Sequence, residues 1–229
     1  MITNINKQGL LTLCLLLLSS ATLVVQLVSG SSAISNQNNM PIVNNVAIRK
    51  VAMVVAYRDF RDQEYFIPKK ILEKSGIRVA TVSNKEGIAI GIDGGEAIVS
   101  LLVSSLKATD YDAIIFIGGS GATKYLDNAD SYRVAEEAIS LNKILGAICV
   151  APVILANGGF LDGKNATVWS GPMNKIAIDA LKAGGAKYIN KPVVVDGLIV
   201  TGNGPDASEE FTREIIKIMI KTPNNKPSK

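Results

Sequence analysis

The chain has no histidine among its 229 residues. Histidine is the usual base of Ser–His and Cys–His nucleophilic sites and the commonest metal ligand in proteins. Its absence argues against a Cys–His peptidase mechanism. A zinc site is also disfavoured, since no cluster of Cys, Asp and Glu has the spacing of metal ligands. We therefore expect neither a metal nor another cofactor.

Cysteine is equally scarce, with two residues in the whole chain. Two cysteines cannot form a disulfide framework of the kind that holds small secreted domains together. Cys14 lies inside an apolar N-terminal run, so Cys149 is the one thiol left for the rest of the protein. An unpaired thiol in an exported chain calls for a functional explanation.

Charge is also limited, because charged residues make up 19% of the sequence and the net charge is +4. Lys and Arg are scattered rather than clustered, so we expect no nucleic-acid partner. Hydrophobic residues account for 48% of the chain, which is enough for one sizeable core.

The N-terminus has the pattern of an export signal, in which Lys7 precedes an apolar run and then small residues. We predict a signal peptide or membrane anchor over residues 1–33, a polar linker over 34–45, one domain over 46–222 and a flexible tail over 223–229. The protein is then extracytoplasmic, either secreted or anchored. Its membrane contact is confined to the first segment.

From residue 46 onward, apolar strand patterns alternate with helical patterns. This alternation predicts an α/β fold in which helices cover both faces of a mostly parallel sheet. The stretch GIAIGIDGGEAIVS instead predicts a hairpin with DGG at its turn. Ligands of such sheets bind beyond the carboxyl ends of the strands, which here are the stretches IFIGGSGA and GAICVAP.

Cys149 lies where one of these strands meets the helical pattern APVILANGG, which has Pro152 in its first turn. A nucleophile on such a strand-to-helix turn is exposed above the sheet, and N–H groups at the helix start favour the thiolate. We therefore expect a lowered thiol pKa. The alternative is an inert cysteine that packs as a small hydrophobe. The turn at Gly118 and Gly119 is either a plain turn or, with the amide of Val150, an oxyanion site.

Four stretches together resemble the DJ-1/PfpI family of the class I glutamine amidotransferase-like superfamily. They are FRDQEYFIPKKILEKSGIRVATVS, YDAIIFIGGSGA, GAICVAP and VVVDGLIVTGNGP, and they occur in family order. The resemblance runs from about Ala47 to Lys221. It implies a flavodoxin-like three-layer sandwich that forms a homodimer or larger homo-oligomer. Members include glyoxalases that need no added cofactor, proposed deglycases, peptidases, chaperones and oxidation sensors.

The resemblance assigns the nucleophile to Cys149 and the carboxylic acid that touches it to Glu64, four residues before Pro68. Its glycine pair falls on Gly118 and Gly119. A buried carboxyl has a raised pKa, so Glu64 is expected to hydrogen-bond the thiolate in its protonated form and to move protons on a bound aldehyde.

Two departures from the family pattern concern histidine. Val150 follows the nucleophile where the peptidase branch has histidine, and Trp169 aligns with a histidine that other members bring to the site. Trp169 is expected near the crevice, either as packing or as a substrate wall.

The resulting prediction is cysteine-dependent chemistry on a small reactive carbonyl, of the glyoxalase or deglycase type. Cys149 and Glu64 are the expected catalytic residues, and the expected oxyanion or substrate-binding residues are Gly118, Gly119, Val150 and Trp169. The alternatives are a non-enzymatic redox-responsive or chaperone-like protein and, disfavoured by the lack of histidine, a PfpI-like peptidase.

Overall fold

A computed structural model describes residues 48–171 and 173–222 of the chain. The predicted export segment, polar linker and C-terminal tail lie outside the described residues. Among the helices of the described part, none combines the length and the apolar character needed to cross a bilayer.

Seven strands form the central sheet. In spatial order they are Val193–Asp196 (β11), Ile199–Gly202 (β12), Ile144–Ile148 (β8), Ala113–Phe116 (β7), Lys50–Val55 (β1), Arg78–Ser83 (β3) and Leu101–Leu102 (β6). All neighbouring pairs are parallel except the β11–β12 hairpin. The inner strands are almost continuous runs of Val, Ile and Ala, as expected where both faces of a parallel sheet are covered.

Two smaller sheets flank the central one. The first contains Arg58–Phe60 (β2), Ile88–Gly91 (β4) and Glu96–Ile98 (β5), and the second contains Asn165–Ala166 (β9) and Lys187–Tyr188 (β10). Strands β4 and β5 are the predicted antiparallel hairpin. The buried carboxylate of Asp62 accepts the N–H groups of Asp93 (2.8 Å) and Gly95 (2.7 Å), which fastens the hairpin turn to the start of the first helix.

The helices are Asp62–Lys74 (α1), Ser120–Tyr125 (α2), Ala129–Ser140 (α3), Pro152–Asn157 (α4), Ile176–Ala183 (α5) and Ser208–Lys221 (α6). Local signals explain where two of them begin or end. The side chain of Asn128 caps α3 by accepting the N–H groups of Asp130 and Ser131. Gly76, at φ +75°, follows α1 and lets the N–H of Ile77 reach the carbonyl of Leu72.

The core consists of two hydrophobic layers, one on each face of the central sheet. Alternate residues of β1 belong to different layers, with Ala52 and Val54 on one face and Val51, Met53 and Val55 on the other. Side chains of α3, α4 and α5 complete the first layer, and those of α1 and α6 complete the second. The predicted three-layer α/β sandwich is confirmed.

The order of the strands places the candidate site. Strands β7 and β8 are parallel neighbours, with Phe116 opposite Ala147. The turn at Gly118 and Gly119 and the residue Cys149 therefore leave the same edge of the sheet side by side.

Candidate functional site

The backbone of Cys149 has the strained geometry of a nucleophile elbow. Its φ is +63°, a conformation that is rare for residues other than glycine. The N–H of Cys149 donates to the carbonyl of Gly202 (2.9 Å), and its own carbonyl accepts the N–H of Trp169 (2.8 Å). These two bonds, from segments that follow Cys149 in the chain, hold the strained conformation in place.

Glu64 projects from the first turn of α1 and is fully buried. Its Oε2 atom accepts the N–H of Gly118 at 3.1 Å, whereas Oε1 has no hydrogen-bond partner among the described residues. The thiol of Cys149 lies close enough to this carboxyl to lower its pKa. Burial raises the pKa of Glu64 to about 7, against the opposing effects of Cys149, the Arg61 charge and the Gly118 N–H.

The sulfur of Cys149 lies near the carboxyl of Glu64 and near two backbone N–H groups. The residue is 7% exposed. Burial raises the pKa of the thiol well above its usual range, and the Glu64 carboxyl raises it further. The N–H groups of Gly119 and Val150 lie close to the sulfur and oppose this effect. The predicted lowering of the thiol pKa is therefore wrong. Helix α4 has six residues, so its dipole is too small to outweigh burial beside a carboxylate.

Glu64 and Cys149 consequently act as one proton-sharing pair. Ionising either group opposes ionisation of the other, so the pair carries at most one negative charge near neutral pH. With a pKa of about 7, Glu64 is ionised in a large fraction of molecules at that pH. Its carboxylate can take the thiol proton at the moment the sulfur attacks an electrophile.

The raised pKa of Glu64 predicts a pH-dependent stability. The native protein binds this proton more tightly than the unfolded chain, where the pKa is near 4.5. The stabilisation is thus complete below about pH 4.5 and is lost as the pH rises through about 7, a loss of about 3 kcal/mol in the free energy of unfolding. Urea unfolding of wild type and Glu64→Gln across this range measures it. If the free energy of unfolding changed with pH in the same way in wild type and in Glu64→Gln, the prediction would be contradicted.

Glycine is required at positions 118 and 119, which lie next to Glu64 and Cys149. A Cβ atom at Gly118 would lie 2.5 Å from the Cβ of Cys149 and 2.6 Å from Oε2 of Glu64. Gly119 has φ +106°, and a Cβ there would meet the backbone oxygen of Asp59 at 2.3 Å. The missing side chains leave room for the carboxyl and expose the amide of Gly119 to the sulfur.

Arg61 is a site residue that the sequence predictions missed. Its backbone N–H donates to the carbonyl of Gly118 (2.9 Å), and its guanidinium charge lowers the pKa of Glu64. Its only ion-pair contact in the described part of the chain is a distant one to Asp93, at 3.7 Å. Arg61 is three residues before Glu64 at the start of α1, so helical spacing was the signal available in the sequence.

Trp169 is beside the nucleophile, as expected. Its indole is 37% exposed and forms a wall of a cavity of about 280 Å³. The other residues that line this cavity are Thr123, Val150, Val153, Asn174, Ile176, Ala177 and Ala180. Val150, which follows Cys149 directly, is part of the lining, whereas Cys149 itself is not among the described residues that line the cavity.

All six predicted site residues are thus close together at one edge of the sheet. Cys149, Glu64, Gly119 and Val150 meet at the sulfur, Gly118 binds Glu64, and Trp169 binds the carbonyl of Cys149. Within residues 48–171 and 173–222, no group of three Cys, Asp or Glu side chains is arranged to hold a metal ion.

Comparisons with known proteins agree with this architecture. The model of the DJ-1/PfpI family matches residues 49–218. An uncharacterized protein of Methanocaldococcus jannaschii is 38% identical over 193 residues, covering 84% of this chain and 92% of that protein. Deglycase PfpI of Pyrococcus furiosus is 27% identical over 167 residues, covering 73% and 98%. The crystal structure of a ThiJ/PfpI domain protein from Brachyspira murdochii has a TM-score of 0.73 and 31% identity, covering 77% of this chain and 99% of that one.

Proposed function

The chain belongs to the DJ-1/PfpI family, and from that premise we propose that it is a cysteine-dependent enzyme acting on small reactive carbonyls, of the glyoxalase or deglycase type. The observation that carries this proposal is the contact between the one thiol of the domain and a buried carboxyl with a pKa of about 7. A relative named as a deglycase supports the choice of substrate class. That this chain forms a homodimer or larger homo-oligomer stays a prediction.

The reaction begins when the carboxylate of Glu64 takes the thiol proton and the sulfur bonds to the aldehyde carbon. The amides of Gly119 and Val150, which now contact the sulfur, lie beside the oxygen that becomes negative and stabilise it. That oxygen then receives the proton from Glu64. The product of this step is a neutral hemithioacetal with Glu64 ionised again.

Glu64 next moves a proton between the two carbons of an α-oxoaldehyde. Its carboxylate removes the hydrogen from the carbon bonded to sulfur, which the adjacent ketone makes acidic, and returns the proton to the neighbouring carbon. The ketone oxygen gains a proton and the hemithioacetal hydroxyl loses one, so the carbon bonded to sulfur becomes the carbonyl carbon. The adduct becomes the thioester of a 2-hydroxy acid. Water then cleaves the thioester, releasing the acid and the free thiol, so the net reaction adds one water to the substrate.

Peptide hydrolysis is a poor fit to the same groups. An amide leaving group must be protonated by a general acid, which in Cys–His peptidases is the imidazolium. The chain has no histidine, and a second copy of the chain would bring none either. Glu64 is fully buried beneath the sulfur, where a bulky peptide cannot approach it.

A second candidate is a protein that responds to oxidation through the same thiol. Oε1 of Glu64 has no hydrogen-bond partner among the described residues, and the carboxyl lies close enough to Cys149 to affect its pKa. When protonated, this carboxyl can donate to one oxygen of a Cys149 sulfinate, and the two amides at the sulfur can donate to the other oxygen.

Lactate formation from methylglyoxal tests the enzymatic proposal. We expect purified protein to produce lactate in phosphate buffer, since amine buffers themselves react with the aldehyde. Cys149→Ser is expected to remove this activity, because a hydroxyl with a pKa far above that of a thiol is a poor nucleophile here. Cys14→Ser makes the same chemical change outside the domain and is expected to retain it. Lactate formation that survives in Cys149→Ser would contradict the proposal.

A further inference from the structure

We propose that the cavity walled by Trp169 binds the apolar substituent of the carbonyl substrate, so that aryl and branched-alkyl α-oxoaldehydes are preferred to methylglyoxal and to hydroxylated sugar carbonyls. This inference rests on the proposed function, of which it specifies the substrate class. Its structural basis is the position of the cavity, the chemistry of its lining and its volume.

The cavity is positioned by the nucleophile itself. The N–H of Trp169 donates to the carbonyl of Cys149 at 2.8 Å, which fixes the start of the indole side chain next to the elbow. Val150 contributes both its N–H to the sulfur and its side chain to the cavity wall. A carbonyl whose carbon meets the sulfur and whose oxygen meets the amide of Val150 therefore has a substituent beside this wall.

The lining of the cavity favours apolar groups. Among the residues that line it in the described part of the chain none is charged, and the polar ones are Thr123 and Asn174. The Oδ1 of Asn174 already accepts the N–H of Ile176 at 3.1 Å. A polyhydroxylated substituent would exchange hydrogen bonds with water for contacts with Trp169, Val150 and Val153, and would lose affinity.

The volume sets the size of the substituent. An apolar cavity of about 150 Å³ is enough to bind benzene, and this one has about 280 Å³. A phenyl ring or a branched alkyl group therefore fits, with the carbonyl left at the sulfur. A methyl group leaves most of the cavity without contacts.

A pair of α-halo ketones tests the cavity without requiring turnover. Both 2-bromoacetophenone and bromoacetone alkylate a thiol by forming an S–C bond while bromide leaves with its electron pair, and they differ in a phenyl against a methyl group. For each compound, the rate constant for alkylation of Cys149 is divided by the rate constant for alkylation of free glutathione by the same compound. The corrected ratio is the quotient for the phenyl compound over the quotient for the methyl compound. We expect the corrected ratio to favour the phenyl compound by about 10–100-fold, the size of discrimination that a small apolar pocket provides. The ratio of kcat/KM for phenylglyoxal over methylglyoxal is expected to be of the same order.

Substitutions in helix α5 test whether the preference for the phenyl compound arises from the cavity. Ala180→Leu fills the cavity and is expected to reduce the phenyl preference at least several-fold, because the phenyl group loses its place there. Ala183→Leu makes the same change at an exposed position of the same helix outside the cavity and serves as the matched control. Trp169→Ala, which removes a wall, is expected to weaken the preference as well. Thermal unfolding checks that each variant is folded.

The outcomes separate this inference from the proposed function. A corrected ratio near one in wild type, or one that Ala180→Leu and Trp169→Ala leave unchanged, would overturn the inference. Equal turnover of both aldehydes would overturn it while leaving the proposed function intact. A phenyl preference in alkylation without any aldehyde turnover would support the cavity and refute the proposed function. If Ala180→Leu changes the mass of the assembly in sedimentation instead of the selectivity, the cavity is an interface between copies and the inference is wrong.

Discussion

Replacing Glu64 by glutamine is expected to lower kcat for aldehyde turnover by about 10²–10⁴-fold, the usual contribution of a positioned acid or base. The amide of glutamine can donate a hydrogen bond but cannot accept the thiol proton or release it to the adduct. Since the active form of Glu64 is the carboxylate, kcat/KM of wild type is expected to rise as the pH increases through about 7. The variant is expected to lose this rise.

The matched control for this variant is Glu73→Gln. Glu73 is on the same helix and pairs with Lys69 at the surface, so the same chemical change there removes no group from the site. We expect Glu73→Gln to keep wild-type turnover and the wild-type pH profile. A Glu64→Gln protein with activity close to wild type would refute the assignment of Glu64 as the proton carrier.

The same variant distinguishes an enzyme from a redox-responsive protein. Graded peroxide followed by mass spectrometry measures how many oxygens Cys149 acquires in each form. A redox role needs a donor and not a proton carrier, so Glu64→Gln should still stabilise a sulfinate. Absence of aldehyde turnover in wild type, together with stepwise oxidation at Cys149 in both forms, would replace the enzymatic proposal by the redox one.

Gly119→Ala is expected to destabilise the protein by about 2–6 kcal/mol and to abolish turnover. Gly119 has φ +106° and ψ 163°, a backbone conformation that essentially only glycine adopts, and it costs a residue with a Cβ about 1–3 kcal/mol. Overpacking adds about 1–3 kcal/mol, because the new Cβ would lie 2.3 Å from the oxygen of Asp59 and 2.5 Å from the nitrogen of Arg61. These are backbone atoms, so they cannot move aside without shifting the amide of Gly119 away from the sulfur.

Gly94→Ala isolates the steric part of this effect. Gly94 has φ +88°, and no atom lies within 4 Å of the position that a Cβ would take there, so alanine carries conformational strain alone. Urea unfolding of both variants is expected to show Gly119→Ala as the less stable by at least about 1 kcal/mol. Equal losses of stability in the two variants would mean that the close backbone contact at Gly119 has relaxed at no cost.

Much of the fold was predictable from local sequence patterns. Runs such as that of β1, the turn residues of the β4–β5 hairpin and the alternation of strands with helices depend on short-range periodicity and turn chemistry. The elbow at Cys149 was predictable for the same reason, because it lies between an apolar strand and a helix that starts with Pro152. The order of the strands then brought Gly119 to the sulfur.

Whether Cys149 is a thiol or a thiolate near neutral pH was decided by the tertiary structure alone. From local sequence, Glu64 is one more polar residue at a helix start, and Cys149 is a thiol favoured as thiolate by the next helix. In the folded protein Glu64 is fully buried against Gly118, 54 residues further along the chain, and against Cys149. Desolvation and charge repulsion depend on distances between such remote groups and not on sequence separation. They raise the thiol pKa, which the sequence had predicted to be lowered, and make Glu64 the group that ionises near neutral pH.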